Sequence, residues 1–177
     1  MANHCDFVMK ITGRKENVDE LIDMLQWQRK HEDNGLGRVY ECWVEDAEEY
    51  DDEFVSVKVS GYCAWSVLTA MRNYGGRHPS LESETERLGL LVELYSSEAG
   101  MGFQEHCMID KGEVIIDECV DYEEHCVEDF DSIEDYNAEY GMDLTEDMVE
   151  DGYVYIGGYG SQYGNFMKVK IENWEGN

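Results

Sequence analysis

Forty-one Asp and Glu stand against thirteen Lys and Arg in this 177-residue chain, which leaves a formal charge of −28. A small domain ordinarily carries a net charge of about 2–8 in magnitude. Any fold must therefore keep dozens of carboxylates at its surface, because a buried, unpaired carboxylate is too costly to retain. Disordered acidic chains meet this condition by having little to bury. Here 42% of residues are hydrophobic and 12% aromatic, which predicts a folded core inside an acidic coat. Direct nucleic-acid binding is disfavoured, since phosphate contacts need clustered bases. Adsorption to an anionic membrane is disfavoured for the same reason. No apolar run reaches the roughly 18–20 residues of a membrane helix.

The start, MANHCDFVMKITG, lacks the basic and apolar regions of a signal peptide. The six cysteines (Cys5, Cys42, Cys63, Cys107, Cys119 and Cys126) are expected to be reduced thiols of a cytosolic protein.

Periodicity gives the order of elements. Residues 6–12 alternate, with Phe7, Met9 and Ile11 on one face, and end at Gly13: a strand. From Asn17 to about Lys30 the apolar positions Val18, Leu21, Ile22 and Leu25 follow helical spacing, and Asn17 with Glu20 resembles a capping box. Residues 38–45 read as a strand with Val39, Glu41 and Trp43 on one face and Tyr40, Cys42 and Val44 on the other. Residues 54–60 are a strand broken by Gly61, and residues 63–74 a helix. Ser80 caps a short helix ending before Gly89, and residues 90–96 form a strand. This is an α+β chain with the ferredoxin-like order β-α-β-β-α-β. Strands at 102–109 and 113–120, joined at Asp110-Lys111-Gly112, extend the antiparallel sheet. The core with its added hairpin is expected over residues 1–131. Residues 132–177 form an acidic C-terminal addition, with short helices capped by Ser132 and Thr145 and a last hairpin from 152–156 and 166–171.

Catalytic signatures are absent. No phosphate loop, nucleophile elbow or deaminase Pro-Cys-x-x-Cys occurs, and His31-Glu32 lacks the second histidine of a zinc protease helix. The dipeptides His4-Cys5, His106-Cys107 and His125-Cys126 hold zinc-ligand types, but strand neighbours point to opposite faces. Asp129 and Asp131 alone do not make a calcium loop. Tyr153, Tyr155, Tyr159 and Tyr163 fit a sheet face and turn better than a binding groove. No catalytic residue, metal or cofactor is assigned.

The distribution of charge is the most specific feature. From Glu41 to Glu53 there are eight acids and no base, and from Glu113 to Asp151 seventeen acids and no Lys or Arg. Such density approaches that of duplex DNA, with one charge per about 1.7 Å of axis. Its self-repulsion is relieved by a basic cleft in a partner. The expected contact face comprises Asp117, Glu118, Asp121, Glu123, Glu124, Glu128, Asp129, Asp131, Glu134 and Asp135, with a second acidic edge at Glu45, Asp46, Glu48, Glu49, Asp51 and Asp52.

The stretches MANHCDFVMKITG, GYCAWSV, FQEHC and KGEVIIDECVDYEEH resemble the YubB ferredoxin-like proteins of bacterial mobile elements, over residues 1–131. The resemblance implies a ferredoxin-like core and a mobile-element origin, and no catalytic residues. In size, acidity and lack of enzymatic motifs the chain is also similar to anti-CRISPR proteins. The expected function is counter-defence: stoichiometric binding of a guide-loaded type II CRISPR effector, whose DNA channels are basic. The rival expectations are a DNA mimic against a restriction enzyme or other DNA-binding protein, a metal-dependent enzyme acting on a signalling nucleotide, and a plain acidic accessory protein.

Overall fold

The computed structural model describes residues 3–26, 36–77, 79–98, 100–121, 132–141, 143, 145, 149–150, 153–156 and 167–170. The chain divides into two compact units, Met1–Val120 and Asp121–Asn177.

The first unit is built on a six-stranded sheet. In chain order its elements are β1 (His4–Arg14), α1 (Lys15–Gln26), β2 (Val39–Glu49), β3 (Phe54–Ala64), α2 (Val67–Ala70), α3 (Leu81–Leu88), β4 (Leu91–Glu98), β5 (Phe103–Asp110) and β6 (Glu113–Asp121). In space the strands run β2-β3-β1-β4-β5-β6. β1 pairs antiparallel with β3 on one side and β4 on the other, and β2 and β5 add antiparallel outside them. The result is a mixed α+β unit on a mostly antiparallel sheet.

Alternation in β1 puts Cys5, Phe7, Met9 and Ile11 on a buried face and Asp6, Lys10 and Thr12 on the other. The buried face packs with Val18, Leu21, Ile22 and Leu25 of α1 and Leu81 and Leu88 of α3 in one continuous core. Each fully buried Leu or Ile contributes about 1.5–3 kcal/mol. Ser80 and Ser83 form a capping box at the start of α3, and Gly89 closes it in the left-handed conformation. At the β5–β6 turn Lys111 and Gly112 both have positive φ, as a two-residue turn of the primed class requires.

Four local readings change. α1 begins at Lys15, directly after β1, and Asn17 does not cap it: its amide donates to the Leu88 carbonyl at 2.8 Å, tying α1 to the end of α3. Gly61 does not break β3. The strand continues to Ala64, paired with His4, because Gly61 serves a close approach: a Cβ there would overlap the Glu41 carbonyl oxygen of β2 and lie 2.7 Å from Cζ of Phe7. The expected 63–74 helix is therefore reduced to the single turn α2, after Trp65 turns the chain with φ of 65° and Ser66 caps it. In β2 a register shift between Val39 and Glu41 sends Val39 into the core, while Glu41 and Trp43 lie opposite Tyr62 and Ser60 on the other face.

The second unit holds α4 (Ile133–Tyr140), capped by Ser132, and an antiparallel sheet of β7 (Val149–Glu150), β8 (Tyr153–Ile156) and β9 (Met167–Lys170) in that order. The expected last hairpin is β8–β9. The helix expected from Thr145 falls mostly outside the described residues, and Val149–Glu150 is strand. Among the described residues no helix is long and apolar enough to cross a membrane.

Gly61→Ala is expected to destabilise the protein by about 1–3 kcal/mol, the cost of overpacking a filled site. Urea denaturation reads it as a lower midpoint at unchanged slope.

Candidate protein-binding surface

Of the expected contact face, Asp117, Glu118, Asp121, Glu134 and Asp135 fall among the described residues. Asp117 and Glu118 are neighbours on β6 and point to opposite sides of the sheet. Asp117 reaches the helix side, where its Oδ1 accepts from Arg72 Nη1 at 2.6 Å. Arg72 lies buried at the end of α2 and also donates from Nε to Glu82 at 3.1 Å. Burial opposes its charge, but the Asp117 hydrogen bond and the nearby carboxylates more than offset that and raise its pKa. Asp117 is thus a structural anchor. Glu118 lies on the other side, 3.8 Å from Nδ1 of His106, whose ring stacks on Tyr95 at 4.2 Å. Asp121 ends β6. Glu123, Glu124, Glu128, Asp129 and Asp131 lie outside the described residues. Glu134 and Asp135 are exposed in the first turn of α4, where they favour the helix dipole.

The second acidic edge lies wholly among the described residues. β2 is an edge strand of the sheet, and its last five residues together with the turn to Phe54 are exposed. Glu41, Glu45, Asp46, Glu48 and Glu49 come from the strand, Asp51, Asp52 and Glu53 from the turn. The Asp51 carboxylate accepts from the backbone N–H of Glu53 and of Phe54, both at 2.8 Å, and fixes the turn. Four bases attend these eight acids: Lys58 to Glu45 and Lys15 to Glu49 at 3.1 Å, Lys10 to Glu48 and Arg14 to Glu53 at 3.9 Å. Ser60 and Lys58 hold the Glu45 carboxyl below its ordinary pKa. Hydrogen bonding to Glu49 raises that of Lys15. Exposed pairs of this kind are weak, because water and salt screen them and holding two long side chains together costs entropy. They are weak enough to exchange for a partner's cations. Charged edge residues also block unwanted strand pairing.

Where α1 starts, Arg14, Lys15, Glu16, Asp19, Asp52 and Glu53 line a cleft of about 470 Å³. Its four carboxylates outnumber its two bases, so it is unsuited to an anion.

The thiols of Cys5, Cys63 and Cys107 are buried in the core, that of Cys42 is half-buried and that of Cys119 is exposed. His4 and Cys5 lie on opposite faces of β1. Burial pushes the Cys42 thiol up to about 12 and the Cys107 thiol up to about 11; Cys63 is raised by its hydrogen bond with Cys5 and by burial. Protonated thiols are poor nucleophiles and poor metal ligands. Among the described residues no group of three or more His, Cys, Asp or Glu is arranged to hold a metal ion.

Two substitutions separate anchor from surface. Asp117→Asn is expected to lower stability by about 1 kcal/mol, below the usual value for a charged hydrogen bond because its side chain is 60% exposed. Glu118→Gln is expected to change it by less than about 0.5 kcal/mol. Urea unfolding of both variants measures the difference.

Comparison of the chain with protein-family models, with curated proteins and with solved structures finds no match in any of the three.

Proposed function

We propose that this protein is a stoichiometric binder of a basic protein surface and that the β2–β3 hairpin is its contact edge. The observation that carries the reading is the hairpin itself: eight carboxylates on an exposed edge strand and its turn, attended by four bases in exchangeable pairs. A surface of this charge speeds encounter with a basic cleft and makes the association sensitive to salt.

The first unit is, in this reading, a ferredoxin-like domain. The order β2-β3-β1-β4, with α1 and α3 in one core, supports it. Kinship with the YubB proteins rests on the short motifs quoted above. It gives the protein a mobile-element origin in the bacterial cytoplasm; the counter-defence role, without catalysis or cofactor, rests on the likeness in size, acidity and lack of enzymatic motifs to anti-CRISPR proteins. The target is then a type II CRISPR effector, which reads its adjacent motif with arginines and holds nucleic acid in positively charged channels.

The test is plasmid cleavage by a guide-loaded type II nuclease, titrated with this protein before and after DNA is added. Complete inhibition near one-to-one, lost when DNA is added first, is expected. The variant Glu45→Gln/Asp46→Asn/Glu48→Gln/Glu49→Gln is expected to lose at least about ten-fold in potency, the equivalent of 1.4 kcal/mol. Full potency of that variant places the interface elsewhere. No inhibition of several such nucleases rejects the target and moves the assay to restriction enzymes.

A further inference from the structure

The acidic edge also carries exposed aromatic rings. The β2–β3 register sets Glu41 opposite Tyr62, Trp43 opposite Ser60, Asp46 opposite Lys58 and Glu48 opposite Ser56, all on the face of the sheet away from the helices. Tyr40 joins them through the register shift, and His4 arrives from the start of β1. His4 stacks on Tyr62 with centroids 5.8 Å apart and 7° between planes, and lies 5.2 Å from Tyr40. Trp43 meets Tyr62 edge-on at 5.6 Å. The Tyr62 hydroxyl donates to Oε2 of Glu41 at 2.9 Å. Three strands thus build a tile of four rings, of which Tyr40 and Trp43 are 36% and 41% exposed.

Rings and carboxylates at this spacing select a ligand. The pairing of Glu41 with Tyr62, Trp43 with Ser60 and Asp46 with Lys58 puts Glu41 and Asp46 one same-face step on either side of Trp43, and such steps are about 6.6–6.8 Å, so a planar cation resting on Trp43 lies within reach of both. Aromatic faces attract cations through their quadrupole, and carboxylates accept hydrogen bonds in the plane of a guanidinium. Arginine offers both, whereas the lysine ammonium is compact and strongly hydrated. A nucleobase would also stack, but its phosphates meet the carboxylates of β2. The molecule already makes such a contact elsewhere: the Arg38 guanidinium sits 4.6 Å over the Trp65 ring. Lys58 and Lys10 face the same area but are engaged by Glu45 and Glu48.

We propose that Tyr40 and Trp43, flanked by Glu41 and Asp46, form an anchor for an arginine side chain of the partner protein. This deepens the reading of the hairpin as the contact edge and rests on it. The edge is then more than a row of negative charge: it distinguishes an arginine-lined cleft from a lysine-lined one.

The test uses the full chain with nona-arginine and nona-lysine peptides of equal length and charge. Calorimetry gives affinity, and the indole N–H resonance of Trp43, assigned with Trp43→Phe, reports the site. Nona-arginine is expected to bind at least about three-fold tighter and to shift the Trp43 resonance. Trp43→Leu, which keeps an apolar side chain without a π face, is expected to lower nona-arginine affinity about three- to five-fold and nona-lysine affinity less than two-fold. Asp46→Asn is expected to weaken both peptides alike. Equal affinity for the two peptides, an unmoved Trp43 resonance, or wild-type affinity in Trp43→Leu overturns the anchor. Arginine preference dependent on Trp43 without nuclease inhibition rejects the nuclease and keeps the anchor. Nuclease inhibition with no peptide discrimination does the reverse.

Discussion

Strand β1 is the constraint on which the first unit depends. It pairs along its whole length with β3 and along most of it with β4, so it is the one strand that both halves of the unit share. Its buried side chains Cys5, Phe7, Met9 and Ile11 meet α1 and α3, and its end runs without a loop into α1. Two glycines let the neighbouring chain close on this frame. At Gly13 a Cβ would overlap Leu90, and at Gly61 it would strike Phe7 and the backbone of β2. Gly61 thereby lets β2 approach β3 closely.

The bases are used with economy. Lys10, Arg14 and Lys15 sit on β1 and the start of α1, and Lys58 on β3, where each reaches an acid of β2 or its turn. Arg72 is spent inside, joining Glu82 of α3 to Asp117 of β6. Arg87 pins α3 to α1 through Glu84 and Glu20. The buried Arg72 pairs fasten elements together from inside, while those along β2 lie in water, as Arg87 with Glu20 does, and hold their carboxylates loosely. A partner's arginine meets least resistance at the second group.

Much of the first unit is legible in the sequence. Alternation locates the strands within a few residues, helical spacing locates α1 and α3, and Ser80 caps as its side-chain chemistry requires, as Ser132 does in the second unit. Gly61 misleads because a strand glycine signals either a break or a close approach, and the choice depends on Phe7 and Glu41, distant in the chain. Trp65, with φ of 65°, gives no signal, since a non-glycine residue rarely adopts that conformation. The split of Asp117 from Glu118 follows from strand periodicity alone. Arg72 as the partner of Asp117 does not, because 45 residues separate them. The run from Glu41 to Glu53 announces an acidic edge. That β2 lies outermost is a property of strand order, and the tile of Tyr40, Trp43, Tyr62 and His4 needs three strands and a bulge to assemble.

The central claim is that the β2–β3 hairpin meets the partner. Hydrogen exchange of the full chain, alone and with one equivalent of guide-loaded type II nuclease, tests it most directly. The account predicts slowed exchange concentrated at residues 40–54, weakened at high salt. Slowed exchange confined to other segments, with residues 40–54 unchanged in a complex that forms, would contradict it.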